Sequence, residues 1–173
     1  MRARMDGDSS LLTKHGFVVF RRLLLALFLL AMVAIGFWML NQVLDSVVIF
    51  GRSFVNVPGY PAPVSVWTYH DAAFSLLWVA YAGLVAWEMT PWAPGQLTSG
   101  RVLIAIFGFA LLTAGLWISQ DLMNAILILN RTYVDLPFFL GRLDQYQTRD
   151  AVSTLVILSY VSFYVLIRIA RPE

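Results

Sequence analysis

No cysteine occurs in this chain, and that absence removes disulfide staples, thiolate metal sites and thiol nucleophiles together. Histidine is almost as scarce: only His15 and His70 are present. The pattern of spans places them on opposite sides of a membrane, which excludes a bis-histidine haem and a histidine-rich metal cluster. Charged residues make up 13% of the chain and the net charge is +2, too weak a bias for a nucleic-acid surface. The sequence shows neither a Ser/His/Asp set nor a glycine-rich phosphate loop. Neither enzyme activity nor a cofactor or metal is therefore expected.

What is abundant is apolar side chain. Hydrophobic residues supply 60% of the 173 positions and the mean hydropathy is +0.74, the composition of a membrane protein. Four stretches read as spans: about Leu23 to Phe50, Trp67 to Trp87, Val102 to Leu129 and Ala151 to Ile169. At ~1.5 Å per residue the first and third exceed a ~30 Å hydrocarbon core, so they are expected to tilt or project. The first is too long for a signal peptide and ends in Asn-Gln-Val-Leu-Asp rather than a small-residue cleavage site, so retention is expected.

The second half echoes the first. Shifted by 79 residues, the segment from Arg22 to Tyr81 aligns without a gap on Arg101 to Tyr160, with 15 identities in 60 positions. Gly36 and Trp38 fall on Gly115 and Trp117; Arg52, Val55 and Pro58 fall on Arg131, Val134 and Pro137. Asp71, Ala72, Leu76 and Tyr81 fall on Asp150, Ala151, Leu155 and Tyr160. Apolar composition alone does not place Gly-x-Trp, Arg-x-x-Val-x-x-Pro and Asp-Ala in one frame. The expected fold is an all-α four-transmembrane-helix bundle built from a parallel tandem repeat of two-helix hairpins. Its parts are a cytoplasmic leader (1–16), the first repeat (17–89), a turn-rich cytoplasmic linker (90–100) and the second repeat (101–173). Eight basic residues (Arg2, Arg4, Lys14, Arg21, Arg22, Arg101, Arg168, Arg171) fall on one side of the four spans and four (Arg52, Arg131, Arg142, Arg149) on the other. Both termini are thus expected to be cytoplasmic, in a membrane of the bacterial inner type. The aromatics Trp67, Tyr69, Phe138, Phe139 and Tyr146 belong at the outer headgroup boundary.

Polar groups inside spans need partners, because an unpaired one costs several kcal/mol in hydrocarbon. Asn41, Gln42 and Asp45 in the first span correspond to Gln120, Asp121 and Asn124 in the third. Offsets of three and four put each trio on one face. Two readings stand: an ion or solute site charged by Asp45 and Asp121, or a hydrogen-bonded seam joining spans one and three along faces that also carry Trp38 and Trp117. Asp71 and Asp150, each just before an apolar run, suggest helix N-caps. Arg52 and Arg131 suggest charge pairs with those carboxylates, or lipid-headgroup binding. Glu88 is expected to face water or Arg101.

The expected function is that of a small non-catalytic subunit or scaffold of a larger membrane complex. The partners are then lipids and another membrane protein or a second copy of the chain. The alternatives are an oligomeric ion- or proton-coupled transporter or channel using the outer carboxylates, and a lipid-binding membrane protein.

Overall fold

The computed structural model describes residues 6–89, 99–135 and 141–170, with side chains over 20–87, 99–135 and 141–165. It is mostly helical. Helix α1 (Asp6–Val48) is followed by a short hairpin of β1 (Phe54–Val55) and β2 (Val64–Ser65), then by α2 (Val66–Met89). Helix α3 (Ser99–Met123) runs on into a π-helical turn, Asn124–Ile128. A second hairpin, β3 (Tyr133–Asp135) with β4 (Arg142–Asp144), leads into α4 (Gln145–Ala170). Two helical segments are long and apolar enough to cross a membrane, Phe20–Val48 and Ser99–Ile128.

The 79-residue offset recurs in the backbone around both hairpins. Phe54 pairs with Ser65 and Val55 with Val64; Tyr133 pairs with Asp144 and Val134 with Leu143. Both long helices end on a left-handed residue, Gly51 (φ 58°) and Asn130 (φ 50°), glycine and asparagine being the residues that adopt it most readily. The closing bonds match as well: Arg52 N–H donates to Ser46 O (2.8 Å) and Arg131 N–H to Ala125 O (2.7 Å). Phe50 N–H donates to Asp45 O and Leu129 N–H to Asn124 O, each an i to i−5 bond that widens the last turn. Val66 N–H donates to Ser53 O and Gln145 N–H to Thr132 O, both at 3.0 Å.

Within each half the helices cross at a glycine. Gly36 on α1 faces Ala73 and Leu77 of α2; Gly115 on α3 faces Val152 and Val156 of α4, the same two positions 79 residues on. The principal contacts are α1 with α2 and α3 with α4. Between halves α1 meets α4, α2 meets α3 and α2 meets α4. One apolar core joins all four helices through Leu40, Leu44, Leu77, Tyr81, Leu112, Leu122, Val152 and Val156. A second cluster at the hairpin end combines Val43, Val47, Val55, Val66, Tyr69 and Met123.

Two expectations change. The seam along α1 and α3 is not the central contact: Trp38 and Trp117 are 46% and 48% exposed. Those two helices instead approach through the π turn beyond α3. The equivalent residues that meet are Tyr81 on α2 and Tyr160 on α4, whose rings make an edge contact at 5.8 Å. Next, Asp71 and Asp150 are not N-caps, because α2 and α4 begin five residues earlier. The cap of α4 is Asp144, whose Oδ1 accepts the N–H groups of Tyr146 (2.8 Å) and Gln147 (2.9 Å). Gln147 Oε1 accepts Asp144 N–H in return, completing a capping box. Helix α1 begins at Asp6. Phe138, Phe139, the linker residues 90–98, and the side chains of His15, Glu88 and Arg168 lie outside the described residues.

Candidate functional site

The two polar trios occupy different surroundings. Asp45 on α1 makes an ion pair with Arg149 on α4, Oδ1 to Nη2 at 2.6 Å, both side chains about one-third exposed. Asn41 donates from Nδ2 to Phe37 O on its own helix (2.9 Å), and Gln42 is half-buried. On the other helix Gln120 lines a groove between α2 and α3, with Asp71, Phe74, Ser75, Trp78 and Leu116, of ≈ 420 Å³. Asp121 and Asn124 line a second groove of ≈ 470 Å³ at the hairpin end, together with Arg131, Tyr133 and Asp135. Among the described residues, no hydrogen bond or ion pair joins one trio to the other.

The arginines at the hairpins turn to aromatic rings rather than to Asp71 and Asp150. The Arg52 guanidinium lies 5.2 Å from the Phe50 ring and 5.8 Å from Phe54. Arg131 lies 5.8 Å from the Tyr133 ring, and Arg142 covers the same ring at 4.0 Å while bonding Asp135 Oδ1 (3.0 Å). Such contacts keep a cation at a ring face without burying its charge. Asp135 beside it raises the Arg142 guanidinium further above its already high pKa. Asp150 is exposed on α4.

Sequence reasoning missed the most connected polar group. His70, expected at the membrane boundary, is fully buried against α3. Its Nε2 is 2.7 Å from Ser119 Oγ and its Nδ1 is 3.2 Å from Asp71 Oδ1. Ser119 is also fully buried, and its hydroxyl reaches Leu116 O at 2.8 Å. The three side chains thus form an Asp–His–Ser series, which the sequence reading did not assemble. Its order is that of a hydrolytic triad, but a serine with no exposed surface offers no nucleophile to a substrate. Comparison with family models, with characterised proteins and with solved structures gives no match.

His70 and the residue 79 positions on, Arg149, make comparable crossings. Both side chains leave the second helix of one half for the first helix of the other: His70 to Ser119 on α3, Arg149 to Asp45 on α1. The signal available in the sequence was that pairing of His70 with Arg149. Ser119 itself gave none, since Leu40 stands at its equivalent position.

Proposed function

We propose that the chain is a four-span membrane protein built from two tandem two-helix hairpins, acting as a small non-catalytic subunit or scaffold of a membrane complex. The observation that carries this reading is the contrast between its outside and its inside. Apolar side chains remain uncovered on all four helices: Leu24, Phe28 and Ile35 on α1, Val79 on α2, Leu103, Ile106 and Phe107 on α3, Ile157 and Val161 on α4. Only 22% and 28% of the most apolar windows of the two longest segments are buried. The core helix of a water-soluble protein hides most of such a window, whereas lipid or a partner helix covers this one.

Several polar groups of the spans, by contrast, are occupied within the chain. Asp45 has Arg149, and His70 has Ser119 and Asp71. Thr113, Ser159 and Ser162 bond carbonyls of their own helices, and the Tyr81 and Tyr160 hydroxyls donate to Ala105 O and Leu77 O. Side chains used in this way hold helices together. The duplicated-hairpin reading draws on the matched hairpin registers and helix-ending bonds at the 79-residue offset. Both termini are cytoplasmic in this reading and both β-hairpins face outward, with Arg52, Arg131 and Arg142 at headgroup level.

Reporter fusions at Gly95 and Gly141 are expected in opposite compartments, and the same compartment for both would overturn the topology. Extraction from native membranes in a mild detergent is expected to yield a stoichiometric complex with another membrane protein. Recovery as a monodisperse assembly of this chain alone would overturn the subunit reading.

A further inference from the structure

We propose that His70 is a reversible proton-binding site within the membrane-spanning bundle, reached by way of Asp71 and read at the contact between the two halves through the Ser119 hydroxyl. The geometry that carries this is the set of acceptors around the ring. Nδ1 faces a carboxylate oxygen of Asp71. Nε2 faces Ser119 Oγ, whose own proton is directed at Leu116 O. A ring between two acceptors satisfies both when both its nitrogens carry hydrogen, which is the imidazolium. Loss of one proton leaves Nδ1–H on Asp71. The bare Nε2 must then accept a hydrogen bond, and the Ser119 hydroxyl leaves Leu116 O to supply it. Proton occupancy thereby moves one hydrogen bond from within α3 to the α2–α3 boundary.

A route for the proton is present. The Asp71 side chain is 70% exposed and lines the groove between α2 and α3, while the ring it contacts has no exposed surface. Among the described residues Asp71 is the only charged group at ion-pair distance from His70. Among the residues with described side chains, the neighbouring helices carry Arg21, Arg22 and Asp45 on α1, Arg101 and Asp121 on α3, and Arg149 and Asp150 on α4, of which Asp45 and Arg149 are committed to each other. Comparison of the halves sharpens the point. The equivalent position holds Arg149, a permanent cation, on Asp45. One half therefore crosses to the other with a fixed charge, and the other half with a side chain that can gain or lose one.

The chain contains two histidines, so His15→Gln leaves a single imidazole to follow. Full-length protein carrying ¹⁵N-histidine, in lipid nanodiscs, is titrated from pH 5 to 8 by nitrogen NMR. The expected result is an imidazolium at low pH giving way to a neutral ring protonated at Nδ1, the tautomer that Asp71 selects. Asp71→Asn is expected to weaken proton binding about tenfold, as loss of an adjacent opposite charge does. A ring neutral throughout the range would overturn the proposal. So would a neutral tautomer protonated at Nε2, or a titration that Asp71→Asn leaves unmoved. Should the Asp71 variant fail to fold, the tautomer in the His15→Gln protein decides.

Discussion

In the first half a leucine packs on a glycine; at the same place in the second half a glycine faces a serine. Leu29 on α1 lies against Gly83 on α2, where an added Cβ would come within 2.7 Å of Leu29 Cδ2. Seventy-nine residues on, Gly108 on α3 faces Ser162 on α4, and a Cβ there would collide with Ser162 Oγ and the Tyr81 hydroxyl. Side-chain volume has been exchanged between partners, so both crossings stay filled. The consequence reaches the centre of the molecule. The space over Gly108 admits the Tyr81 hydroxyl, which donates to Ala105 O (3.0 Å). The equivalent carbonyl for Tyr160 is that of Ala26, where Leu29 stands in place of Gly108, and Tyr160 donates instead to Leu77 O (2.7 Å). Two identical residues thus make different bonds in surroundings that differ at one neighbour. At these two positions, 79 residues apart, local volume decides where the side chains end.

The strongest way to break this comparison is to force the first half's choice on the second. Gly108→Leu places a full side chain where Tyr81 and Ser162 already sit, and overpacking of this kind is expected to cost about 3 kcal/mol. Adding Ser162→Gly rebuilds the Leu–Gly pair and should return part of the loss, with Tyr81 still in the way. Thermal unfolding in detergent micelles or nanodiscs measures both variants. A Gly108→Leu protein as stable as wild type would show that the space over α3 is not filled as described.

The glycine crossings should respond with opposite signs. A Cβ at Gly36 would sit 2.9 Å from Leu77 Cγ and 3.1 Å from Ala73 O, contacts that neither group yields easily. At Gly115 the nearest atoms are 3.6 to 3.8 Å away, on Val156, Leu155 and Val152. The branched Val152 in place of Ala73 accompanies the wider spacing. Gly36→Ala is therefore expected to lose about 1–2 kcal/mol through steric strain. Gly115→Ala is expected to gain about 0.5 kcal/mol from helix propensity. Equal effects, by the same unfolding assay, would mean that the two crossings are equally close.

Hydropathy made the long helices legible, whereas the two short β-hairpins between them were not expected from an all-α reading. Finer placement was hidden for identifiable reasons. Asp71 and Asp150 resembled caps because each precedes an apolar run, but β2 and β4 turn directly into helices and move both starts back to Val66 and Gln145. The real cap was readable as Asp144-x-x-Gln147, once a helix is allowed to begin among polar residues. Which equivalent helices meet at the centre was not readable, since a twofold relation serves α1 with α3 as well as α2 with α4. The bond from His70 to Ser119 was invisible for the opposite reason: it depends on a serine that breaks the repeat.

The subtlest difference between halves lies in their carboxylates. Asp45 and Asp121 belong to matching trios but not to matching positions: Asp45 aligns with Asn124, and Asp121 with Gln42. Asp45 reaches Arg149 across the boundary between halves, whereas Asp121 is half-buried in the groove at the hairpin end beside Asn124 and Arg131. Asp45→Asn leaves the Arg149 charge partly buried without its counter-ion, at an expected cost of about 1 kcal/mol, and Arg149→Gln in the same chain should recover part of it. Asp121→Asn keeps the shape and hydrogen-bonding reach of the side chain, and an expected change of about 0.5 kcal/mol or less follows from the small worth of single polar contacts in membranes. Membrane abundance and unfolding temperature measure both variants, and growth of cells that depend on the protein measures function. Normal abundance with lost function in Asp121→Asn would assign that carboxylate a cation or a proton and displace the scaffold reading in favour of transport. Equal losses of stability in the two amide variants would instead mean that Asp121 has an ionic partner as firm as Arg149, and the halves would be more alike than their contacts indicate.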